Sequence, residues 1–125
     1  MKKLSIGIDT HALTNVIGLA FNDMGTPILY GKVSADLNRT VEALRKILKK
    51  YNLKKEDVII CYEAGPTGFV LARRLIKLGF ECVVVAPSLI AKKPGEKNKT
   101  DRRDARKLAN YLRANDLTPV HIPDV

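Results

Sequence analysis

The chain has 125 residues, enough for one domain with a substantial core, since a domain of this size buries roughly two thirds of the surface its unfolded chain exposes. Hydrophobic residues make up 46% and charged residues 28%, an ordinary globular balance rather than that of a disordered chain. Lys and Arg total 22 against 13 Asp and Glu, a formal charge of +9, which points to nucleic acid as the first partner and an anionic membrane surface as the second, with a merely soluble basic protein as the plain alternative.

Leu4-Ser5-Ile6-Gly7-Ile8-Asp9 alternates apolar and small residues and predicts a first strand ending at Asp9. After the short connection Thr10-His11-Ala12-Leu13, the run from Asn15 to Phe21 predicts a second strand. Asn22 to Thr26 is a turn, with Gly25 suited to positive φ, and Pro27 to Val33 reads as a third strand. Connections this short imply antiparallel neighbours, so the three strands form a meander.

The period then changes. Leu37, Val41, Leu44, Leu48 and Tyr51 recur at helical spacing and predict an amphipathic helix over 37–51, capped by Asp36 or Asn38. Val58-Ile59-Ile60-Cys61-Tyr62 is a continuous apolar run, suited to a central strand buried on both faces. Past Glu63, Pro66 fits an early helix position, Phe69, Ala72, Leu75 and Ile76 make the buried stripe, and Gly79 closes the helix at positive φ. Glu81 to Val85 is the fifth strand.

Ser88 to Ala91 suggests a short helical turn, and Lys92 to Lys99, with Pro94-Gly95 and no periodicity, predicts a mobile basic loop. Thr100 can cap a last helix over about 101–114, whose apolar residues Ala105, Leu108, Ala109 and Leu112 recur at helical spacing. The tail from Leu117 to Val125 has no core pattern of its own. The order β-β-β-α-β-α-β-α predicts an α/β fold, a mixed five-stranded sheet flanked by helices.

Cys61 and Cys82 sit inside strand-like runs without metal-ligand spacing and read as buried free thiols of a reducing compartment. No apolar run approaches the length of a membrane span, and the start lacks a signal-peptide core, so a cytoplasmic protein with no membrane partner is expected.

Four acids stand out by position. Asp9 ends the first strand and Glu63 the fourth, and parallel neighbours would bring both out at one sheet edge, where ligands of α/β sheets sit. Asp101 and Asp104 are three apart, on the helix stripe that continues through Ala105, Leu108 and Leu112. Carboxylates on a core-facing stripe need a partner, and a metal ion would be one. The plainer readings are two first-turn acids complementing a helix dipole, Asp9 capping a turn and Glu63 capping the next helix. Mg²⁺ suits all-oxygen ligands and keeps water positions open for a phosphate. Two such ions about 3.5–4 Å apart would stabilise both oxygens of a phosphoryl transfer. Lys92, Lys93, Lys97, Lys99, Arg102, Arg103, Arg106 and Lys107 bracket the acidic pair and could neutralise phosphates; a solvated face is the alternative. His11, two residues past Asp9, could carry a proton or touch a phosphate, although a plain turn histidine is the simpler reading. Tyr62 reads as core.

Four stretches carry a resemblance: Ile6-Gly7-Ile8-Asp9-Thr10-His11, Tyr62-Glu63-Ala64-Gly65-Pro66-Thr67-Gly68, Ala86-Pro87-Ser88-Leu89-Ile90 and Lys99-Thr100-Asp101-Arg102-Arg103-Asp104-Ala105. In this order they resemble the amino-terminal domain of DEDD insertion-sequence transposases, relatives of the Piv/MooV DNA invertases that include the bridge-RNA-guided recombinases. That domain is similar to the RuvC Holliday-junction resolvase. The resemblance implies an RNase H-like fold with strand order 3-2-1-4-5, and places the DEDD tetrad on Asp9, Glu63, Asp101 and Asp104. It further implies binding of Mg²⁺ or Mn²⁺ by those four, as two ions, together with DNA strand cleavage and transfer, and association with a structured guide RNA. It leaves the oligomeric state open, a homo-oligomer included. Family members continue into a helical region and a carboxy-terminal domain with a proposed nucleophilic serine, whereas this sequence stops at Val125. The expectation is a catalytic domain over residues 1–115 and the start of a linker over 116–125, incompetent for complete transposition alone. Two rivals are a nucleic-acid-binding module without catalysis and an actin-like sugar-kinase half. The latter needs a phosphate-binding glycine pattern that Thr10-His11-Ala12-Leu13 lacks.

Overall fold

The structure, a computed structural model, describes residues 2–23, 25–65, 68–87 and 104–123. Its strands are β1 (Leu4–Thr10), β2 (Thr14–Phe21), β3 (Ile28–Ser34), β4 (Val58–Glu63), β5 (Glu81–Val85) and β6 (Pro119–Val120). Its helices are α1 (Leu37–Lys50), α2 (Val70–Lys77) and α3 (Ala105–Arg113). The strands form one mixed sheet in the order β3-β2-β1-β4-β5-β6. β1, β2 and β3 make the expected antiparallel meander, while β4 pairs parallel with β1 and β5 parallel with β4.

Among the described residues the sheet has six strands rather than the expected five. Pro119–Val120 pairs antiparallel with β5, and Ala86 N donates to Thr118 O at 2.9 Å beside it. Two residues are too few to show alternation, so this strand exists because β5 offers an open edge.

Alternation along the strands separates two faces. Leu4, Ile6 and Ile8 of β1, Ile17 and Leu19 of β2, Ile60 and Tyr62 of β4, and Val84 of β5 join one core with Leu44, Ile47, Leu71 and Leu75 from α1 and α2. The residues between them face α3, where Cys61, Val85 and Leu108 form a smaller cluster. No helix of the described residues is long and apolar enough to cross a membrane.

Each helix end has a local cause. Asp36 caps α1, its carboxylate accepting from Asn38 N at 2.7 Å and Arg39 N at 3.4 Å. At the carboxyl ends, Asn52, Gly79 and Asn115 take φ of +55°, +97° and +58°. The following amide then bonds back into the helix: Leu53 N to Leu48 O (2.8 Å), Phe80 N to Leu75 O (3.0 Å) and Asp116 N to Tyr111 O (2.8 Å).

Two helix starts differ from the sequence expectation. α2 begins at Val70, later than a Pro66 start would give, because Gly68 sits at φ +66° and breaks helical geometry before it. Tyr62 supplies part of the missing cap: its hydroxyl donates to Gly68 O (2.8 Å) and accepts from Ala72 N (3.1 Å). α3 begins at Ala105 rather than near Asp101. Asp104 has extended backbone (φ −71°, ψ 171°) and is itself the cap, accepting from Lys107 N at 2.9 Å. Thr100 as cap, Pro66, the turn at Ser88–Ala91 and the loop Lys92–Lys99 lie outside the described residues.

Candidate metal centre at the carboxyl edge of the sheet

β1 and β4 run parallel in register, with Ile8 opposite Tyr62, so Asp9 and Glu63 follow at equivalent ends of adjacent strands. Both alternate onto the α3 face, because Ile8 and Tyr62 point into the opposite core. Glu63 is buried at 4% exposure, and the Asp9 side chain retains 15%. His11 folds back across the β1–β2 turn and places Nε2 3.0 Å from Asp9 Oδ2. That turn is tied down by His11 N to Thr14 O (2.9 Å) and Ala35 N to Leu13 O (3.0 Å). His11 is therefore more than a turn residue: it touches the candidate ligand.

α3 brings in the third acid. Its first turn lies over Gly7 and Gly18, which are opposite each other on β1 and β2. Its last residue, Arg113, donates through Nη1 to Phe21 O and Gly25 O, both at 2.7 Å, at the far end of β2. Phe21 pairs with Leu4, the first residue of β1. α3 thus runs antiparallel to β1, and its amino end, capped by Asp104, points to the edge where Asp9 and Glu63 emerge. Leu108 and Ala109 are buried beneath it, and Arg106 and Lys107 are exposed on its first turn.

Asp104 is a cap with extended backbone, which removes the helical spacing expected to set Asp101 and Asp104 on one helix face. Asp101 lies outside the described residues, as do Lys92, Lys93, Lys97, Lys99, Arg102 and Arg103. Among the described residues, no three His, Cys, Asp or Glu side chains converge closely enough to hold a metal ion. The donor chemistry nonetheless fits a hard cation. Asp9, Glu63 and Asp104 offer carboxylate oxygens only, the set that suits Mg²⁺ or Mn²⁺. The nearest thiol, Cys61, is buried with Sγ 3.8 Å from Leu108 O.

Burial shapes two other titrating groups. It pushes the Tyr62 hydroxyl up to about 12, against a smaller lowering by the Ala72 amide, and pushes the Cys82 thiol up to about 12. Both face the α1/α2 core, and neither is poised for chemistry near neutral pH.

Sequence reasoning missed Gly7, Gly18 and Arg113. Glycine inside a strand does signal close approach of another backbone, and that signal was available. Arg113 carried none, since its partners are carbonyls of a distant turn.

A three-stranded meander followed by parallel strands, with helices on both faces and acids at the carboxyl edge, is the arrangement of an RNase H-like domain. Comparison with known families narrows this further. A transposase family of the DEDD, IS110 type matches residues 6–125, and the chain belongs to that family. The Sinorhizobium fredii protein y4qE, named as a transposase, is 47% identical over 120 residues, 95% of this chain and 30% of the relative. The transposase for insertion sequence element IS1533 of Leptospira borgpetersenii is 34% identical over 113 residues, 90% of this chain and 32% of the relative. The chain therefore spans about a third of the length of these relatives.

Proposed function

We propose that this chain is the catalytic domain of a DEDD transposase, acting in metal-dependent DNA strand cleavage and transfer. The observation that carries the reading is the convergence of three elements on one sheet edge. β1 delivers Asp9, β4 delivers Glu63, and α3 points its Asp104 cap at the same edge. Asp9, Glu63, Asp101 and Asp104 would hold divalent cations, Mg²⁺ or Mn²⁺, two in number. Bound there, the cations would stabilise charge on the attacking and leaving oxygens of a phosphodiester.

The chain's own residues do the rest. Glu63, buried at the end of a central strand, gives the site a rigid floor. His11 orients the Asp9 carboxylate through Oδ2. Arg106, with Lys92, Lys93, Lys97, Lys99, Arg102 and Arg103, would neutralise the backbone phosphates of DNA, an interaction that weakens steeply with salt. The domain takes in β6, since Pro119–Val120 pairs with β5 past the expected limit at residue 115. Complete strand transfer would draw on parts of a longer protein, of which this chain matches about a third in its relatives. The protein would act in the cytoplasm, with a structured guide RNA as a further partner; its oligomeric state stays open, a homo-oligomer included.

The test is a melting experiment with millimolar Mg²⁺ or Mn²⁺. The wild-type chain should melt higher with metal, and Asp9→Ala combined with Asp104→Ala should abolish the shift. A wild type indifferent to metal would overturn the reading. Salt-sensitive DNA binding with no metal dependence would favour a binding module instead.

A further inference from the structure

We infer that Gly7 and Gly18 are positioning residues for the candidate metal centre, with Arg113 as their counterpart at the far end of α3. The inference rests on the metal-site reading above. A methyl group at Gly7 would stand 2.5 Å from Ala105 O and Ala109 N and 2.7 Å from Leu108 Cβ. One at Gly18 would stand 2.5 Å from Ala105 C and O and 2.6 Å from Arg106 N. Most of these atoms are backbone, so no rotamer change can relieve the overlap. α3 would have to lift by about 1 Å to restore ordinary contact.

Neither glycine is needed for its backbone angles. Among the described residues, Gly31, Gly68 and Gly79 are the glycines of positive φ; Gly7 and Gly18 pair in register between β1 and β2, and the register shift beside Gly18 lies on its β3 side. Space is what they provide, and they provide it opposite each other, under the first turn of one helix. Ala105, in that contact, directly follows the Asp104 cap. Asp9 lies two residues beyond Gly7 on the same face, about 7 Å along β1. The glycine pair therefore sets the height of Asp104 above the sheet that carries Asp9 and Glu63.

Arg113 fixes the other coordinate. Its Nη1 bonds to Phe21 O and Gly25 O, and its Nη2 to Asn110 Oδ1 at 2.6 Å, tying the end of α3 to the β2–β3 connection. Sliding α3 along the sheet would break this clamp. Depth is set at one end and axial position at the other. Such second contacts matter because a ligand set displaced by about 1 Å loses much of its function.

The test compares Gly7→Ala with Leu75→Ala, a core truncation in α2 on the opposite face that also lowers stability. Two readings are taken on the full chain: Mn²⁺ affinity by calorimetry, and the distance between spin labels at Leu13→Cys and Lys107→Cys, both exposed positions. The native Cys61 and Cys82 are buried and should not label. Gly7→Ala should lengthen the label distance by about 1 Å and weaken Mn²⁺ binding at least tenfold, while Leu75→Ala changes neither. An unchanged distance, or equal loss of affinity in both variants, would overturn the inference. Should the wild type bind no Mn²⁺, the metal-site reading fails, and the label distance alone decides whether the glycines set α3. If Gly7→Ala does not fold, Arg113→Ala carries the same two readings.

Discussion

The two faces of one sheet follow different rules. The α1/α2 face is lined by Leu4, Ile6, Ile8, Ile17, Leu19, Ile60 and Tyr62, large side chains in one continuous core. The α3 face of the same strands carries Ser5, Gly7, Asp9, Gly18, Ala20, Cys61 and Glu63, which are small or acidic. The first face stabilises by area removed from water, at roughly 1.5–3 kcal/mol for each large aliphatic side chain. The second buries less and holds a helix close. Stability and the candidate site are thus divided between alternate positions of β1 and β4, and each of these two strands contributes to both.

Several substitutions can break this comparison. The largest effect should come from Ile60→Ala, which empties a fully buried site on the α1/α2 face and should cost about 2–5 kcal/mol in chemical denaturation. Its neighbour Cys61→Ala, on the α3 face of the same strand, should cost about 1 kcal/mol. Equal costs would erase the distinction between the faces.

Alkaline titration sharpens it. Tyr62 and Cys82 both face the α1/α2 core, and both are held neutral by burial, to about 12 from 10.0 and 9.0 respectively. The folded state binds these protons more tightly than the unfolded chain. Their contribution should be fully present below about pH 9, and stability should fall as pH rises from there through about 12. Urea midpoints across that range should decline, and Tyr62→Phe should make the decline shallower. A flat profile up to pH 12 would mean these groups are not desolvated.

Tyr62→Phe at neutral pH is a smaller perturbation. It leaves Ala72 N and Gly68 O without their hydroxyl partner and should cost about 1–3 kcal/mol, with faster hydrogen exchange at Ala72. The smallest change in stability should come from Asp104→Asn, because Asn caps a helix about as well as Asp. Its melting temperature without metal should match the wild type while the Mg²⁺ or Mn²⁺ shift is lost. Asp104→Ala should lose the shift and also about 1 kcal/mol of stability. Retention of the metal response in Asp104→Asn would mean that this residue is a cap and nothing more.

Much of the architecture was legible because its causes are local. Alternation marked β1 to β3, the apolar run marked β4 as central, and Asp36 and Gly79 were readable at their helix ends. The start of α3 was not legible, because Thr100, Asp101 and Asp104 are all competent caps. Docking of Ala105 over Gly7 and Gly18 coincides with a start immediately after Asp104. β6 was invisible for a different reason: a two-residue strand has no period, and only the free edge of β5 defines it. His11 looked like a turn residue until the turn brought its ring to Asp9.

For the candidate site, the sequence by itself determined which acids stand at strand ends, since a strand's limits are written in its own residues. Which sheet face those acids share, which end of α3 approaches them, and how closely that helix can lie were decided only by the tertiary structure. These depend on contacts between β1, β2 and α3, elements far apart in the chain, and no local pattern encodes the distance between them.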